Sequence, residues 1–451
     1  MRKLSPVLLL ILCLFCSSFI AQCRAAEIPA GEFVKRRVAL MGQVKKGMII
    51  LFADPDHPPA SRFRQDNDFY YFTGCDDLNA ILVMIPRTGE TALFLPRLKR
   101  REKRMYGDNL LGDPGAGKKT GLTGIYPLDY FKKYVAGKGK KADRTFYVRL
   151  SPKDEVSYNR REAAMFRERR ARNPFNDQIP ADLYRVNKLK EQYPAFAVKD
   201  VVPFIDRMRL LKTPREIEIL RLNGKISAEA IKRAMLATRP GAYEYELEAA
   251  AMNVILKNGA NGPAYAPIIG SGPNSCIFHY NKNNRQMEAG DVVLMDFGAD
   301  LAHLCMDITR TWPVSGTFTP EQREVYRAVL EVQKACIAAY RPGITAKDVR
   351  RRVAKVLKEK GIDMKGLRGG MHHYVGLSVH DVGPKGIPFR EGMVFTIEPG
   401  LYYPEKNLGI RIEDTILITK DGCEVLSKDV PKEIAEIEAL LKGKKYIGVL
   451  H

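Results

Sequence analysis

The sequence predicts a two-domain α/β protein whose second domain carries an internal pseudo-twofold repeat. Three observations lead there. At 451 residues the chain exceeds one ordinary domain, and two domains of roughly 180 and 230 residues are the natural expectation. Its first part alternates short apolar runs with helical stretches. Its second part repeats itself at a fixed spacing. Apolar residues at 45% and charged residues at 28% are ordinary for a folded chain, which excludes fibrous and disordered classes.

The N-terminus reads as a signal and not as part of the fold. Arg2 and Lys3 precede an apolar run from Pro6 to Phe15, a polar break at Ser17-Ser18, and Ala25-Ala26. That is the order of a secretory signal peptide cleaved near Ala25 or Ala26. Residues 1–26 are expected to be removed and the protein secreted, to the periplasm in a double-membrane bacterium. The run is short for a membrane span, and Gln22 before Cys23 fits a lipobox poorly. Neither a stable membrane span nor a lipid anchor is expected. The remaining Cys75, Cys276, Cys305, Cys336 and Cys423 are an odd, scattered set, unlike a disulfide framework.

Residues 27–205 form the first expected domain. Met48–Phe52, Ile81–Ile85, Ala92–Leu95 and Phe146–Leu150 read as strands, with helical stretches between them. The segment Ser151–Tyr193 is charge-rich and poor in apolar runs, so it reads either as helical excursions or as a flexible connection. Basic clusters at Arg97–Arg104 and Arg160–Arg172 contribute to a net charge of +21. An anionic partner would explain them. No aromatic-interleaved motif accompanies them, however, so they read as solvated surface with no specific nucleic-acid partner.

Residues 206–451 form the second domain. Thr213-Pro214-Arg215-Glu216 is a capping box with proline at the first helical position, and Ile217, Leu220, Ile231 and Met235 supply an apolar helical face. Arg239-Pro240-Gly241 recurs as Arg341-Pro342-Gly343, an offset of 102, and Gly259 recurs as Gly361. Gly290 to Gly298 matches Gly392 to Gly400 at the same offset. Each half reads helix, helix, strands, and two such halves can share a central cleft lined by equivalent residues.

The repeat pairs acids and histidines. Asp296 and Glu398 each end an apolar run, Asp307 and Glu413 follow at an offset of 106, and His279 pairs with His380 at 101. Glu413 alone, in the alternating Ile410–Ile416, would read as surface. Asp296 resists that reading because Val292-Val293-Leu294-Met295 is continuously apolar, as in a strand buried on both faces. An ionised acid there is costly without a compensating cation. Four acids in one cleft repel one another unless a charge of about +4 lies among them, and two divalent ions meet that demand. Oxygen-rich ligation with one imidazole suits Mn²⁺ first, with Zn²⁺, Co²⁺ or Fe²⁺ as alternatives. A two-metal site holds a bridging water at lowered pKa and polarises a carbonyl, the chemistry of peptide hydrolysis without a side-chain nucleophile. His372, His373 and His380 cluster beside Gly369-Gly370 in a chain with only seven histidines, which favours a site over scattered structural roles.

These residues resemble the metallopeptidase family that contains aminopeptidase P, prolidase and methionine aminopeptidase, whose catalytic domain has the pita-bread fold. The family's ligand pattern of Asp, Asp eleven residues on, His, Glu and Glu is met by Asp296, Asp307, His373, Glu398 and Glu413. The flanks Asp307-Ile308-Thr309-Arg310-Thr311 and Glu398-Pro399-Gly400 match too. The resemblance implies that Asp307 and Glu413 bridge two metals, that Asp296 chelates one, and that His373 and Glu398 hold the other. It implies that Glu398 handles the proton of the attacking water and that His279 and His380 steady the substrate carbonyl and the tetrahedral intermediate. It also implies that Tyr265, Tyr402 and Arg411 line or support the site. Glu32–Arg37 and Phe63–Gly74 resemble the first domain of bacterial aminopeptidase P, of the creatinase/prolidase N-terminal type. By that resemblance this domain shapes the substrate site and mediates oligomerisation.

The implied activity is release of the first residue from peptides with proline second, by a homodimer or homotetramer. Prolidase is the alternative. A non-enzymatic pita-bread binding protein is the alternative of another class, disfavoured by the intact ligand set. One departure stands out. Relatives of aminopeptidase P carry a histidine four residues before the metal-binding one, and here that place is Gly369. His372 is the obvious substitute, but adjacent residues on extended backbone point to opposite sides. The expectation is instead that Gly369-Gly370 opens the loop and leaves the site wider and more hydrated, and that most of the activity does not depend on His372.

Overall fold

Five successive apolar residues make Met48–Phe52 a strand without a polar face (β1), and the structure buries it almost completely. The computed structural model describes residues 26–55, 62–139, 141–176, 179–359, 361, 367–368 and 372–443. The expected signal segment, residues 1–26, lies outside them except for Ala26, and so do Gly369-Gly370. β1 is central in a six-stranded mixed sheet with β2 (Ile81–Ile85), β3 (Glu90–Leu95), β4 (Gly124–Pro127), β5 (Thr145–Val148) and β6 (Ala197–Asp200), in the order β4-β3-β2-β1-β5-β6. β1 runs antiparallel to β2 and parallel to β5. Phe131, Tyr134 and Val135 of the helix Phe131–Lys138 and Val186 and Leu189 of the helix Ala181–Gln192 pack on this sheet with Met48, Ile50, Val83, Phe94 and Phe146.

The segment Ser151–Tyr193 is not a connection. It carries the helices Arg160–Ala171 and Ala181–Gln192, and the chain then returns to the sheet through β6, parallel to β5. Nor is Arg160 solvated surface. Its guanidinium lies 2.8 Å from Asp68 and 2.9 Å from Asp154, and Arg209 reaches the same two carboxylates at 3.0 and 2.7 Å. Burial alone would raise both carboxyls. The guanidinium groups outweigh it, holding Asp68 below the usual carboxylate range and Asp154 well below it. Of the other arginines in that run, Arg161, Arg169, Arg170 and Arg172 are exposed and Arg167 is half-buried. The charged residues of the earlier cluster, Arg97 and Lys99 to Arg104, are exposed as expected.

The chain divides into two compact units: one spans Ile28–Leu210, and the other begins at Leu211 and also takes in Glu27. A boundary at 205/206 would cut the helix Val202–Leu210, which buries Val202, Ile205, Arg209 and Leu210 and belongs to the first unit.

In the second unit the two halves are built alike. Thr213 caps the helix Pro214–Ala237, its hydroxyl accepting from Glu216 N, and Thr319 caps Pro320–Ala339 in the same way through Gln322 N. The helices Glu244–Lys257 and Ala346–Glu359 follow. The first half supplies β7 (Gly262–Pro263), β8 (Ile268–Ser271), β9 (Val292–Asp296), β10 (Ala299–Leu301), β11 (Leu304–Cys305) and β12 (Thr309–Pro313). The second supplies β13 (Leu367–Arg368), β14 (Val394–Ile397), β15 (Gly400–Tyr403), β16 (Leu408–Arg411), β17 (Asp414–Ile418) and β18 (Cys423–Val425). The sheets β12-β9-β8 and β14-β17-β18 place β9 and β14 in matching antiparallel pairs.

Candidate metal centre

Continuous apolar residues bury β9 on both faces, so Asp296 at its end is carried into the interior. The pairing of β9 with β12 sets Thr309 opposite Asp296 and leaves Asp307 two residues before β12. A side chain at Gly298 would overlap the Met306 carbonyl oxygen, so this close approach requires glycine. The second half supplies Glu413 one residue before β17. The halves are stitched together here: Thr415 Oγ1 donates to the Asp307 carbonyl at 2.7 Å, and Glu413 N donates to the Thr309 carbonyl at 3.0 Å.

The carboxylates share a small set of partners. The Tyr265 hydroxyl lies 2.5 Å from Asp296 Oδ1 and 2.6 Å from Asp307 Oδ1. Arg411 donates to Asp296 Oδ2 at 2.6 Å, to the Thr309 hydroxyl at 2.9 Å and to the Tyr402 hydroxyl at 3.0 Å. Thr309 in turn donates to Glu413 Oε2 at 2.6 Å. His373 Nε2 lies 3.3 Å from Asp307 Oδ2 and 3.6 Å from Glu398 Oε1. Its Nδ1 is 3.1 Å from the Tyr374 carbonyl, an acceptor, so Nδ1 carries a proton and Nε2 is the atom turned to the acids. His380 lies beside it, ring centroids 4.2 Å apart.

Burial raises the carboxyls of Glu413, well above its usual value, and of Glu398, and it lifts Asp296 to about 7 against the opposing charge of Arg411. Burial would raise Asp307 too, but its bonds from His373 and Tyr265 outweigh it and bring this carboxyl below its usual value. Burial would likewise lower His373, but its contacts with Asp307 and Glu398 raise it to about 9. Buried carboxyls raised in this way disfavour their charged form, and a cation placed among them would favour it again. Asp307, His373 and Glu413 each offer a ligand atom, all within 4.8 Å of one another. Carboxylates with one imidazole fit divalent ions such as Mn²⁺ or Zn²⁺.

The structure thus brings together Asp296, Asp307, His373, His380, Glu398, Glu413, Tyr265, Tyr402 and Arg411. His279 stands exposed on the segment between β8 and β9, next to Phe278, whose ring centroid is 4.5 Å from that of Tyr402. His372 turns away from the acids. Its Nδ1 is 2.8 Å from the Tyr340 hydroxyl, and its ring packs edge-on against Tyr340, Phe389 and Phe395. Thr309, which joins Glu413 to Arg411, Thr396, which joins Glu398 to the His373 backbone, and Thr415, which holds the Asp307 backbone, have no distinguishing mark in the sequence. Threonine in a strand is common, and only the flank Asp307–Thr311 points to one of them.

Residues 218–420 match Metallopeptidase family M24, and residues 33–147 match the aminopeptidase P N-terminal domain. A buried acid cluster with one imidazole, set in a twofold α/β unit so matched, defines a metallopeptidase of family M24. The chain is 34% identical to Xaa-Pro aminopeptidase from Escherichia coli, over 92% of this chain and 98% of the relative. The structure of aminopeptidase P from E. coli with the inhibitor Pro-Leu aligns with a TM-score of 0.76 at 31% identity, covering 93% of this chain and 99% of that one. The chain belongs to the aminopeptidase P family of metallo-aminopeptidases. Xaa-Pro dipeptidase from Homo sapiens is 28% identical over 84% of this chain and 85% of its own length. The expected α/β class, with an aminopeptidase-P-type first domain before a metallopeptidase domain, holds. With a hydrolase family established, the binding-scaffold alternative is set aside.

Proposed function

We propose that the chain is an Xaa-Pro aminopeptidase, hydrolysing the bond between a first residue and a following proline in peptides longer than two residues. The observation that carries this is the meeting of Asp307, His373 and Glu413 within 4.8 Å, in a chain aligned over 92% of its length with a relative so named. Asp296, Asp307, His373, Glu398 and Glu413 would hold two divalent ions, Mn²⁺ first, with Zn²⁺, Co²⁺ or Fe²⁺ also suited. Such ions supply a Lewis acid for the scissile carbonyl and lower the pKa of water.

The chain's own groups do the rest. Glu398, raised by burial, accepts the proton of the attacking water and passes it to the leaving proline nitrogen. His279 and His380 offer N–H donors to the carbonyl oxygen and then to the tetrahedral oxyanion. Tyr265 and Arg411 hold the carboxylates of Asp296 and Asp307 in place, and Tyr402 braces Arg411. Export by a cleaved signal and assembly as a homodimer or homotetramer belong to the same reading. The deciding experiment supplies metal-reconstituted protein with Xaa-Pro-Xaa peptides beside Xaa-Pro dipeptides. Faster release of the first residue from the longer peptides is expected; a strong preference for dipeptides would make the chain a prolidase.

A further inference from the structure

The segment that carries Phe278 and His279 is gripped by one carboxylate outside the acid cluster. Glu244 opens the helix Glu244–Lys257. A glutamate in a first helical turn ordinarily stays in water, where the helix dipole favours it. Glu244 is instead fully buried, at 0% exposure. It is not the cap, because Tyr243 N donates to Glu246 Oε1 at 2.9 Å. Nor does the repeat require an acid here: the counterpart at the offset of 102 is Ala346.

The Glu244 carboxylate accepts five hydrogen bonds. Ser271 N and Ser271 Oγ donate to Oε1 at 2.7 Å each, and Asn274 Nδ2 at 3.2 Å. The Tyr280 hydroxyl donates to Oε2 at 2.9 Å and Arg285 N at 3.0 Å. The donors come from both ends and the middle of residues 271–285, and between them Ile277, Phe278 and His279 stand exposed. On its other side the segment is seated on β16: Gly409 N donates to Ser275 Oγ at 2.8 Å, and a side chain at Gly409 would overlap the Ser275 carbonyl. β16 ends in Arg411, which binds Asp296.

We infer that Glu244 is a positioning residue for the hydrolysis, gathering residues 271–285 so that Phe278 lies against Tyr402 and His279 is presented beside it. The inference rests on the proposed function for the role of His279. A buried carboxylate is costly unless its lone pairs are filled, and here they are filled from one segment.

The test uses Glu244→Gln and the milder Tyr280→Phe in the full chain at equal metal content. Glutamine keeps the shape, but its amide N–H₂ must confront a donor now facing a carboxylate oxygen. Glu244→Gln is expected to lower kcat/KM on the order of a hundredfold, the scale of a misplaced catalytic group. In a Phe278→Ala, His279→Ala background the same change should add little further loss. Hydrogen exchange should accelerate across 271–285 and not across β9. Wild-type kinetics in Glu244→Gln, losses that multiply in the combined variant, or unchanged exchange across 271–285 would overturn the inference. Should Glu244→Gln fail to fold or to hold metal, Tyr280→Phe decides by the same readouts. Should the wild type cleave no Xaa-Pro peptide, the functional reading fails and the exchange result alone judges Glu244.

Discussion

His372 is next in sequence to a proposed metal ligand, yet its removal is expected to leave turnover nearly intact. Its ring sits among Tyr340, Phe389 and Phe395, and burial lowers it to about 4 from the ordinary 6.5. At neutral pH His372→Ala loses the bond to Tyr340 and leaves a small cavity, a cost of about 2 kcal/mol. The sign of the pH effect follows from the direction of the shift. The folded protein keeps His372 neutral, whereas the unfolded chain protonates it below about pH 6.5. This group's contribution is therefore fully present above pH 6.5 and is lost as the pH falls toward 4, a loss of about 3 kcal/mol in full and about 2 kcal/mol by pH 5. His372→Ala removes that dependence. The variant should be less stable than wild type at pH 8 and about equal to it at pH 5, by urea denaturation of metal-free protein at both values. In kinetics at equal metal occupancy, His372→Ala should keep kcat within about threefold, while His380→Ala loses about a hundredfold or more. Parallel pH slopes in wild type and variant would refute the burial argument, and equal kcat losses in the two histidine variants would show that His372 serves the site.

Asp307→Ala or Glu413→Ala should abolish hydrolysis and lower bound metal, since each removes a proposed bridging ligand; near-normal turnover with metal content unchanged would sink the assignment. Arg160→Ala, which removes one of the two guanidinium groups that Asp68 and Asp154 share and leaves Arg209 to hold both, should destabilise the protein by about 1–3 kcal/mol, and Arg169→Ala by less than about 0.5 kcal/mol; equal melting temperatures for the two variants would contradict this. Intact mass of protein from its native host should correspond to a chain starting near Ala26 or Glu27, and retention of Met1 through Ala25 would rule out a cleaved signal.

What is legible in the sequence depends on whether the deciding interaction is local. β9 is legible because four apolar residues precede Asp296, and the capping box at Thr213 because cap and partner are three residues apart. The repeat is legible because the Arg-Pro-Gly turns, Gly259 with Gly361, and Gly290–Gly298 with Gly392–Gly400 keep one offset of 102. Arg160 reads as solvent-facing because its partners Asp68 and Asp154 are acids that themselves read as surface, and only the fold buries the three together. The segment Ser151–Tyr193 is ambiguous for the same reason, since its link to the sheet is made by β6, beyond its end. Glu244 is invisible because an acid in a first helical turn is unremarkable. His279 is found by its offset from His380, but it stands on an exposed segment whose position depends on contacts made elsewhere.

The twofold construction explains how so much negative charge is held in one place. Asp296 and Asp307 come from the first half, and His373, Glu398 and Glu413 from the second. No single hairpin carries a complete ligand set. The bonds that align them, Thr415 to Asp307 and Glu413 to Thr309, run between halves. A half on its own would therefore hold only two or three of the five proposed ligands. The fully buried pair of Arg310 with Asp414, next to Glu413, likewise runs between the halves: Arg310 reaches Asp414 at 2.6 Å and also donates to the Thr309 carbonyl at 2.9 Å. A buried, fully bonded ion pair contributes little net stability but penalises any other arrangement, because either partner left alone is a bare buried charge. Arg310 and Asp414 are next in sequence to Thr309 and Glu413, so loss of either partner would disturb the strands that present Asp307 and Glu413. The acid cluster is thus assembled only where both halves meet, and a divalent cation held there, as proposed, would relieve its repulsion.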